Sequence, residues 1–373
     1  MFEKFRNIAD NRHEYARDWK KRTGRKMVGY FCTYVPEELI YAAGMLPVRI
    51  LGGHEPTTPA DEYISGQFCV LCRDILTQGL KGKYDYLDGI TNGMSCIHMR
   101  QAFNSWQAHL SPEYSHFVFV PREVGRRYAG QLMLDEIGLF KRSLEEWTGR
   151  EITEADLENA IEVYNRNRRL MKQLYEYRKQ DPPLLSGSEA LAVGLAGQLM
   201  EKEEHSKMLE EVLSGLPGRK DGPRPGVRLM VAGGENDSFE FTEMVESLGA
   251  SVVIDENCTG SRYFWNEVVP KGSPLEAIAN RYLDRPRCPV KDSSDRTRIG
   301  HILQLAGEYN IQGALITIIR GCQPHGFDNV AIREALNKEG IPSHSLVMDV
   351  TFSPGNIRTR VEAFIEQLRE GDL

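Results

Sequence analysis

The sequence lacks a stretch that could cross a membrane: no run of about 18 apolar residues occurs in its 373 positions. It also lacks an apolar leader. The N-terminal MFEKFRNIADNRHEYARDWKKRTGRK is charged throughout, whereas a secretory signal carries an apolar core of about 7–15 residues. The expected compartment is therefore the reducing cytoplasm, with no membrane contact. An excess of basic charge is missing too. The formal net charge is −7, from 46 Lys+Arg against 53 Asp+Glu, which excludes a generally basic nucleic-acid binder. Internal repeats and low-complexity tracts are absent. So is the G-x-x-x-x-G-K-S/T loop that cradles nucleotide phosphates.

Cysteine is present, but not in the usual arrangements. The seven are Cys32, Cys69, Cys72, Cys96, Cys258, Cys288 and Cys322. An odd number in a long chain without a secretion signal argues against a disulfide framework. The thiols are then core residues, nucleophiles or metal ligands, and free cysteine is commonly buried. Only Cys69 and Cys72 make a C-x-x-C. Without a second such pair or an H-x-x-x-H, the usual structural zinc pattern is missing. A compact ferredoxin-type cysteine run is missing as well. The lone pair also lacks a thioredoxin-like context.

At roughly 150 residues per domain the length suggests about two domains, each able to bury its own core. The pattern predicts an α/β protein with two parallel-sheet lobes around a helical middle. The expected boundaries are 1–125 for the first lobe with a leading helix, 126–222 for the helical segment and 223–373 for the second lobe. In the first lobe, 45–51, 85–90 and 116–120 read as strands, with helical stretches between them. Pro36, Glu37 and Glu38 read as a helix start and Gly44 as its stop. In the middle, Thr153 and Asp156 resemble a capping box, and Leu157, Ile161, Tyr164, Met171 and Leu174 recur at helical spacing. GLPGRKDGPRPG (215–226) is the clearest boundary. Beyond it, strands are predicted at 227–233, 250–255, 313–319 and 343–349, and helices at 238–247, 295–308, 326–338 and 355–369.

This frame places the cysteines. Cys96 and Cys322 each follow a predicted strand and precede a predicted helix, and Cys69 lies near another helix start. Such turns gather at the carboxyl edge of an open parallel sheet, where ligands bind. Helix N-termini there favour thiolates and anionic groups. Three scattered cysteines suit a [4Fe-4S] cluster with one iron left open, although inert core thiols remain an alternative reading of the same spacing.

Five segments resemble one family in the right order: VGYFCTYVPEELIYAAGMLPVRILGG (28–53), QFCVLCRDILTQGL (67–80), GITNGMSCIHMRQAFNSW (89–106), AIEVYNRNRRLM (160–171) and RGCQPHGFDNVAIREALNKEGIP (320–342). The resemblance is to the 2-hydroxyacyl-CoA dehydratase / benzoyl-CoA reductase family of iron–sulfur proteins, over nearly the whole chain. It implies two flavodoxin-like lobes and a [4Fe-4S] cluster on Cys69, Cys96 and Cys322. It implies a related second subunit, in a heterodimer or a homodimer, and an acyl-CoA or aryl-CoA substrate. It also implies a separate iron–sulfur ATPase activator, so that ATP acts only through that partner. The chemistry implied is one-electron reduction of a CoA thioester, either to expel a 2-hydroxyl group or to reduce an aromatic ring. A subunit that merely relays electrons is a further alternative. A double-cubane [8Fe-9S] cluster would need additional thiolates, for which Cys72, Cys32, Cys288 and Cys258 are the candidates.

This chain departs from the family pattern at Cys96-Ile97 and Cys322-Gln323-Pro324, where an aspartate often follows the cysteine. Fewer acids beside a cluster should raise its reduction potential slightly. His98 and His325 are the candidate proton donors, each also readable as a structural histidine. The arginines of 279–298 are read either as a CoA-phosphate site or as a solvated loop. Gly233-Gly234 follows a strand but lacks G-x-G-x-x-G, and reads as an ordinary turn.

Overall fold

Eight strands form two parallel sheets in the computed structural model, which describes residues 1–292, 296–351 and 354–371. The first sheet contains β1 (Met27–Tyr30), β2 (Leu46–Arg49), β3 (Gly89–Gly93) and β4 (Tyr114–Val118), in the order β2-β1-β3-β4. The second contains β5 (Val227–Gly233), β6 (Ala250–Glu256), β7 (Gly313–Ile319) and β8 (Ser343–Met348), in the order β6-β5-β7-β8. Both orders begin as a flavodoxin-like sheet does, with the chain reversing its direction of travel after the second strand. The two-lobed α/β expectation is met.

The strands of the second lobe are legible because they are nearly continuous apolar runs, as strands covered on both faces are. VRLMVAG and GALITII occupy the predicted positions, and VRLMVAG is buried from end to end. The first lobe corrects the reading in three places. β1 had no predicted strand. Its MVGY is only four residues long, too short for a period to declare itself. The strand expected at 85–90 begins only at Gly89, because Asp85 and Leu87 N–H groups close turns onto Gly82 and Tyr84 carbonyls. The strand expected at 116–120 is Tyr114–Val118. Its ladder opens on Gly89 opposite Tyr114, and Phe119 N–H leaves it for Glu136.

The long helix Glu154–Glu176 starts on the predicted capping box, with Thr153 and Asp156 bonded reciprocally. Leu157, Ile161, Tyr164, Met171 and Leu174 are all buried. The helix expected over 326–338 starts earlier, as Gln323–Lys338, and the last one is Pro354–Glu370. Residue 295, where the helix expected over 295–308 begins, lies outside the described residues; the helix runs Thr297–Glu308.

One apolar cluster joins Val28, Tyr30 and Val118 of the first sheet to Phe140 of the middle helices and to Ile278 and Tyr282 from beyond the second sheet's first strands. The two lobes are thereby clamped with their carboxyl edges close together. Among the described residues, no helix is long and apolar enough to cross a membrane.

Candidate functional site

Three helices begin on a cysteine where these edges meet. Cys69 is the N-cap of Val70–Leu80, Cys96 that of Ile97–Leu110 and Cys322 that of Gln323–Lys338. The chain turns into each helix there, so the free N–H groups of the first turn surround the sulfur. Cys96 Sγ accepts Met99 N–H at 3.4 Å. The lobes touch at this point: Val70 N–H donates to Arg320 O across the gap at 3.1 Å. Gly321 has φ +79, and a Cβ there would stand 3.0 Å from Cys69 Cα. The approach therefore needs glycine for both its conformation and its lack of a side chain.

The structure brings a fourth thiol into the group. The Cys69 sulfur accepts from Cys322, and Cys72 offers its single S–H to Cys69 or Cys96. Bonding from Cys322 and Cys72 holds the Cys69 thiol down to about 3, against burial. Cys96 is lowered by Cys72 and by Met99 N–H, while Cys72 and Cys322 are pushed up by their thiolate neighbours and by burial. The four sulfurs run as a string, Cys322–Cys69–Cys72–Cys96. Among the described residues, no three His, Cys, Asp or Glu side chains close around a single ion. Soft thiolates at helix N-termini fit an iron–sulfur cluster, whose several metals spread the ligands apart.

Cys32, Cys258 and Cys288 gather at a second point, beside Arg262 and Tyr34. Burial pushes Cys258 up to about 11 and raises Cys288, so both are protonated thiols at neutral pH. His98 Nδ1 accepts Cys69 N–H at 3.1 Å, and its ring rests on Phe68 at 4.5 Å. It holds the backbone of Cys69. His325 is buried in the first turn of the Cys322 helix, and burial, with Arg262 and Arg298, keeps it neutral.

Glu37 and Glu38 do more than start a helix, because both are buried. Glu38 pairs with Arg168 and accepts Tyr282 Oη–H at 2.9 Å. Burial opposes its charge, but Arg168 and Arg281 hold it at about 2. Glu37 accepts Tyr263 Oη–H at 2.9 Å. Three arginines of 279–298 are neither on a solvated loop nor free for phosphate. Arg281 binds the Asn266 and Tyr263 carbonyls, Arg285 those of Thr33 and Arg262, and Arg298 the carboxylates of Glu256 and Asp328. Backbone carbonyls and buried carboxylates occupy these guanidinium groups, and sequence pattern does not reveal such long-range pairings.

A narrow cleft of about 50 Å³ opens beside the thiols, lined by Gly52, His54, Val70, Leu71, Glu235 and Asp237, among others. His54 Nε2 meets Asp237 Oδ1 at 2.9 Å, and His54 Nδ1 meets Val350 O at 3.1 Å. Two acceptors on one ring require both nitrogens to carry protons. Asp237 accordingly raises His54 from 6.5 to about 9. A raised folded-state pKa contributes stability that is full below about 6.5 and is lost as pH rises through about 9. His54→Gln should therefore lower the melting temperature at pH 6 and leave it unchanged at pH 10. The pair is partly exposed, so the effect at pH 6 should be below about 1 kcal/mol. Melting curves across this range check it, and a constant offset would disprove the charged His54–Asp237 pair as the cause.

Sequence reasoning missed this cleft. Its one visible signal was GGEND after a strand, at the edge where ligands bind.

The family described as 2-hydroxyglutaryl-CoA dehydratase, D-component, matches residues 32–368. The (R)-phenyllactyl-CoA dehydratase beta subunit of Clostridium sporogenes is 24% identical over 371 residues, covering 99% of this chain and 98% of its own. The beta subunit of (R)-2-hydroxyglutaryl-CoA dehydratase from Acidaminococcus fermentans is 25% identical and covers 99% of both chains. A benzoyl-CoA reductase subunit of Thauera aromatica is 25% identical over 334 residues, with 88% of this chain and 86% of its own covered. The family match takes in the turns of Cys69, Cys96 and Cys322 and the whole of the second sheet, and the chain belongs to the 2-hydroxyglutaryl-CoA dehydratase D-component family.

Proposed function

We propose that the chain is the iron–sulfur subunit of an ATP-activated, radical-type (R)-2-hydroxyacyl-CoA dehydratase. Cys69, Cys96 and Cys322 would hold a [4Fe-4S] cluster, with Cys72 beside them. One observation carries the reading: three helix N-termini from two lobes, each capped by cysteine, converge on one crevice. When bound, such a cluster supplies low-potential electrons and an open iron able to act as a Lewis acid.

The protein's own residues supply the rest. Helix N–H groups offset the negative charge of the thiolates. His98 fixes the backbone that carries Cys69. The clamped lobes limit water, which strengthens every charge interaction inside. A related second subunit and an iron–sulfur ATPase complete the system in this reading, since the relatives are named as subunits and this sequence has no phosphate loop.

An aryl-CoA reductase is the second reading, favoured by the similarity to a benzoyl-CoA reductase subunit. The test is an anaerobic assay of the complex with its activator, ATP and a reductant, offered 2-hydroxyacyl-CoA or benzoyl-CoA. Enoyl-CoA formation supports the dehydratase, and ring reduction the reductase. Turnover of neither by a complex that binds iron would leave this chain as an electron relay.

A further inference from the structure

We propose that Glu235 is the proton-transfer group of the interlobe cleft, a role that rests on the dehydratase reading and that Arg49 positions. The backbone sets the place of Glu235. β5 ends in Gly233, with φ +149, where a Cβ would lie 2.1 Å from Thr317 O. Only glycine lets β5 pass this close to β7 and turn Glu235 out at the carboxyl edge.

The Glu235 side chain is 2% exposed and lines the cleft with Val70 and Leu71, the first turn of the Cys69 helix. Its Oε2 accepts Arg49 Nη2–H at 2.8 Å. Its Oε1 is buried and has no hydrogen-bond partner among the described residues. A buried carboxylate oxygen normally has one.

The other titratable groups at this cleft are committed. Asp74 Oδ2 accepts Gly53 and His54 N–H groups at 2.9 and 3.0 Å, and its Oδ1 accepts Gln78 at 3.2 Å. His54 and Asp237 bind each other. Asp349, also in the lining, pairs with Arg320, which leaves Glu235 Oε1 as the buried carboxylate oxygen of this cleft without a hydrogen-bond partner among the described residues. The groups around it are Arg49, Asp237, His54 and Cys258. Burial pushes its carboxyl up to about 7, Arg49 and His54 oppose this, and Asp237 adds to it. A carboxyl in that range both gives and takes protons at neutral pH.

The proton balance closes on this one group. Protonated Oε1 gives its proton to the departing 2-hydroxyl: the C2–O bond breaks and an O–H bond of water forms. The carboxylate then takes a proton from C3: the C3–H bond breaks and Oε1–H is restored. The substrate loses one water and gains a C2–C3 double bond, and Glu235 ends as it began. The priming electron comes from a low-potential one-electron donor and returns to the redox system after deprotonation.

The test uses Glu235→Gln in the assembled complex, together with infrared titration of the full chain. The variant should bind as much iron as wild type. Its kcat should fall by about 10²–10⁴-fold with KM nearly unchanged, and deuterium exchange from D2O into C3 should stop. In the iron-free chain, it should lose a protonated-carboxyl band that titrates near neutral pH. A kcat within threefold of wild type, with exchange intact, overturns the proposal. If the wild-type complex dehydrates no acyl-CoA, the dehydratase reading has failed and the infrared titration decides alone: the band must vanish in Glu235→Gln, and its persistence or absence from wild type overturns the assignment. If Glu235→Gln does not fold, Glu235→Asp replaces it. The band must then shift with the shorter side chain, and an unmoved band overturns the assignment.

Discussion

Cys69→Ala, Cys96→Ala and Cys322→Ala should each empty the chain of iron. Anaerobic wild type should carry about four irons and four sulfides, as a single [4Fe-4S] cluster requires, and each variant close to none. The loss should be nearly complete because each cysteine caps a different helix. No spare thiol stands beside Cys322, so its loss cannot be made good without moving a helix start. Cys69 is the informative exception, since Cys72 follows one turn later and lies within hydrogen-bond reach of both Cys69 and Cys96. Partial iron in Cys69→Ala, abolished in Cys69→Ala/Cys72→Ala, would show that Cys72 substitutes. Electron paramagnetic resonance on the same samples separates an assembled cluster from loosely bound iron. About eight irons, sensitive also to Cys32 or Cys288 replacement, would favour the double cubane. An iron-free wild type would end the redox mechanism and leave the thiols as core residues.

The cysteine positions were legible because parallel α/β folds impose a simple rule: a residue just after a strand and just before a helix lies at the carboxyl edge. Cys322 satisfies it on an apolar strand that declares itself, GALITII, and Cys96 on the shorter GITNG, whose place the sequence gives only approximately. Cys69 follows no strand directly, yet its helix starts where the other lobe's Gly321 turn arrives. That contact is a property of how the lobes dock, and no local pattern encodes it. Cys72 was visible only as half of an ambiguous C-x-x-C. The buried ion pairs were the least legible feature. Glu38 with Arg168 is separated by 130 residues, and Arg49 with Glu235 by 186. In sequence, such residues look like solvated surface. Glu235 was hidden for the same reason: GGEND reads as a polar turn until a guanidinium from the other lobe is seen to meet it.

Arg298→Met should destabilise the protein by about 3–5 kcal/mol, the usual cost of removing one partner from a buried ionic group. Arg298 is fully buried and bridges two elements of the second lobe. Its Nη2 lies 2.6 Å from Glu256 Oε2 at the end of β6, and its Nε lies 2.8 Å from Asp328 Oδ2 in the helix that Cys322 starts. Methionine fills much of the volume but leaves both carboxylates in a dry interior with only their longer pairs, Glu256 with Arg262 at 3.4 Å and Asp328 with Arg296 at 3.5 Å. Burial already pushes the Glu256 carboxyl up, with Arg262 and Arg298 opposing it. Without Arg298 that opposition falls to Arg262 alone, and Glu256 should take up a proton more readily. The size of the loss therefore depends on the uncompensated acids more than on the lost attraction. Arg298→Met/Glu256→Gln/Asp328→Asn should consequently recover at least half of the stability, since neutral amides remove the stranded charges. Urea denaturation of the iron-free chains measures both variants. Iron content reads the connection to the site, because Asp328 anchors the helix that presents Cys322. A loss below about 1 kcal/mol in Arg298→Met, or no recovery in the triple variant, would contradict the account. The triad would then have no hold on the Cys322 helix.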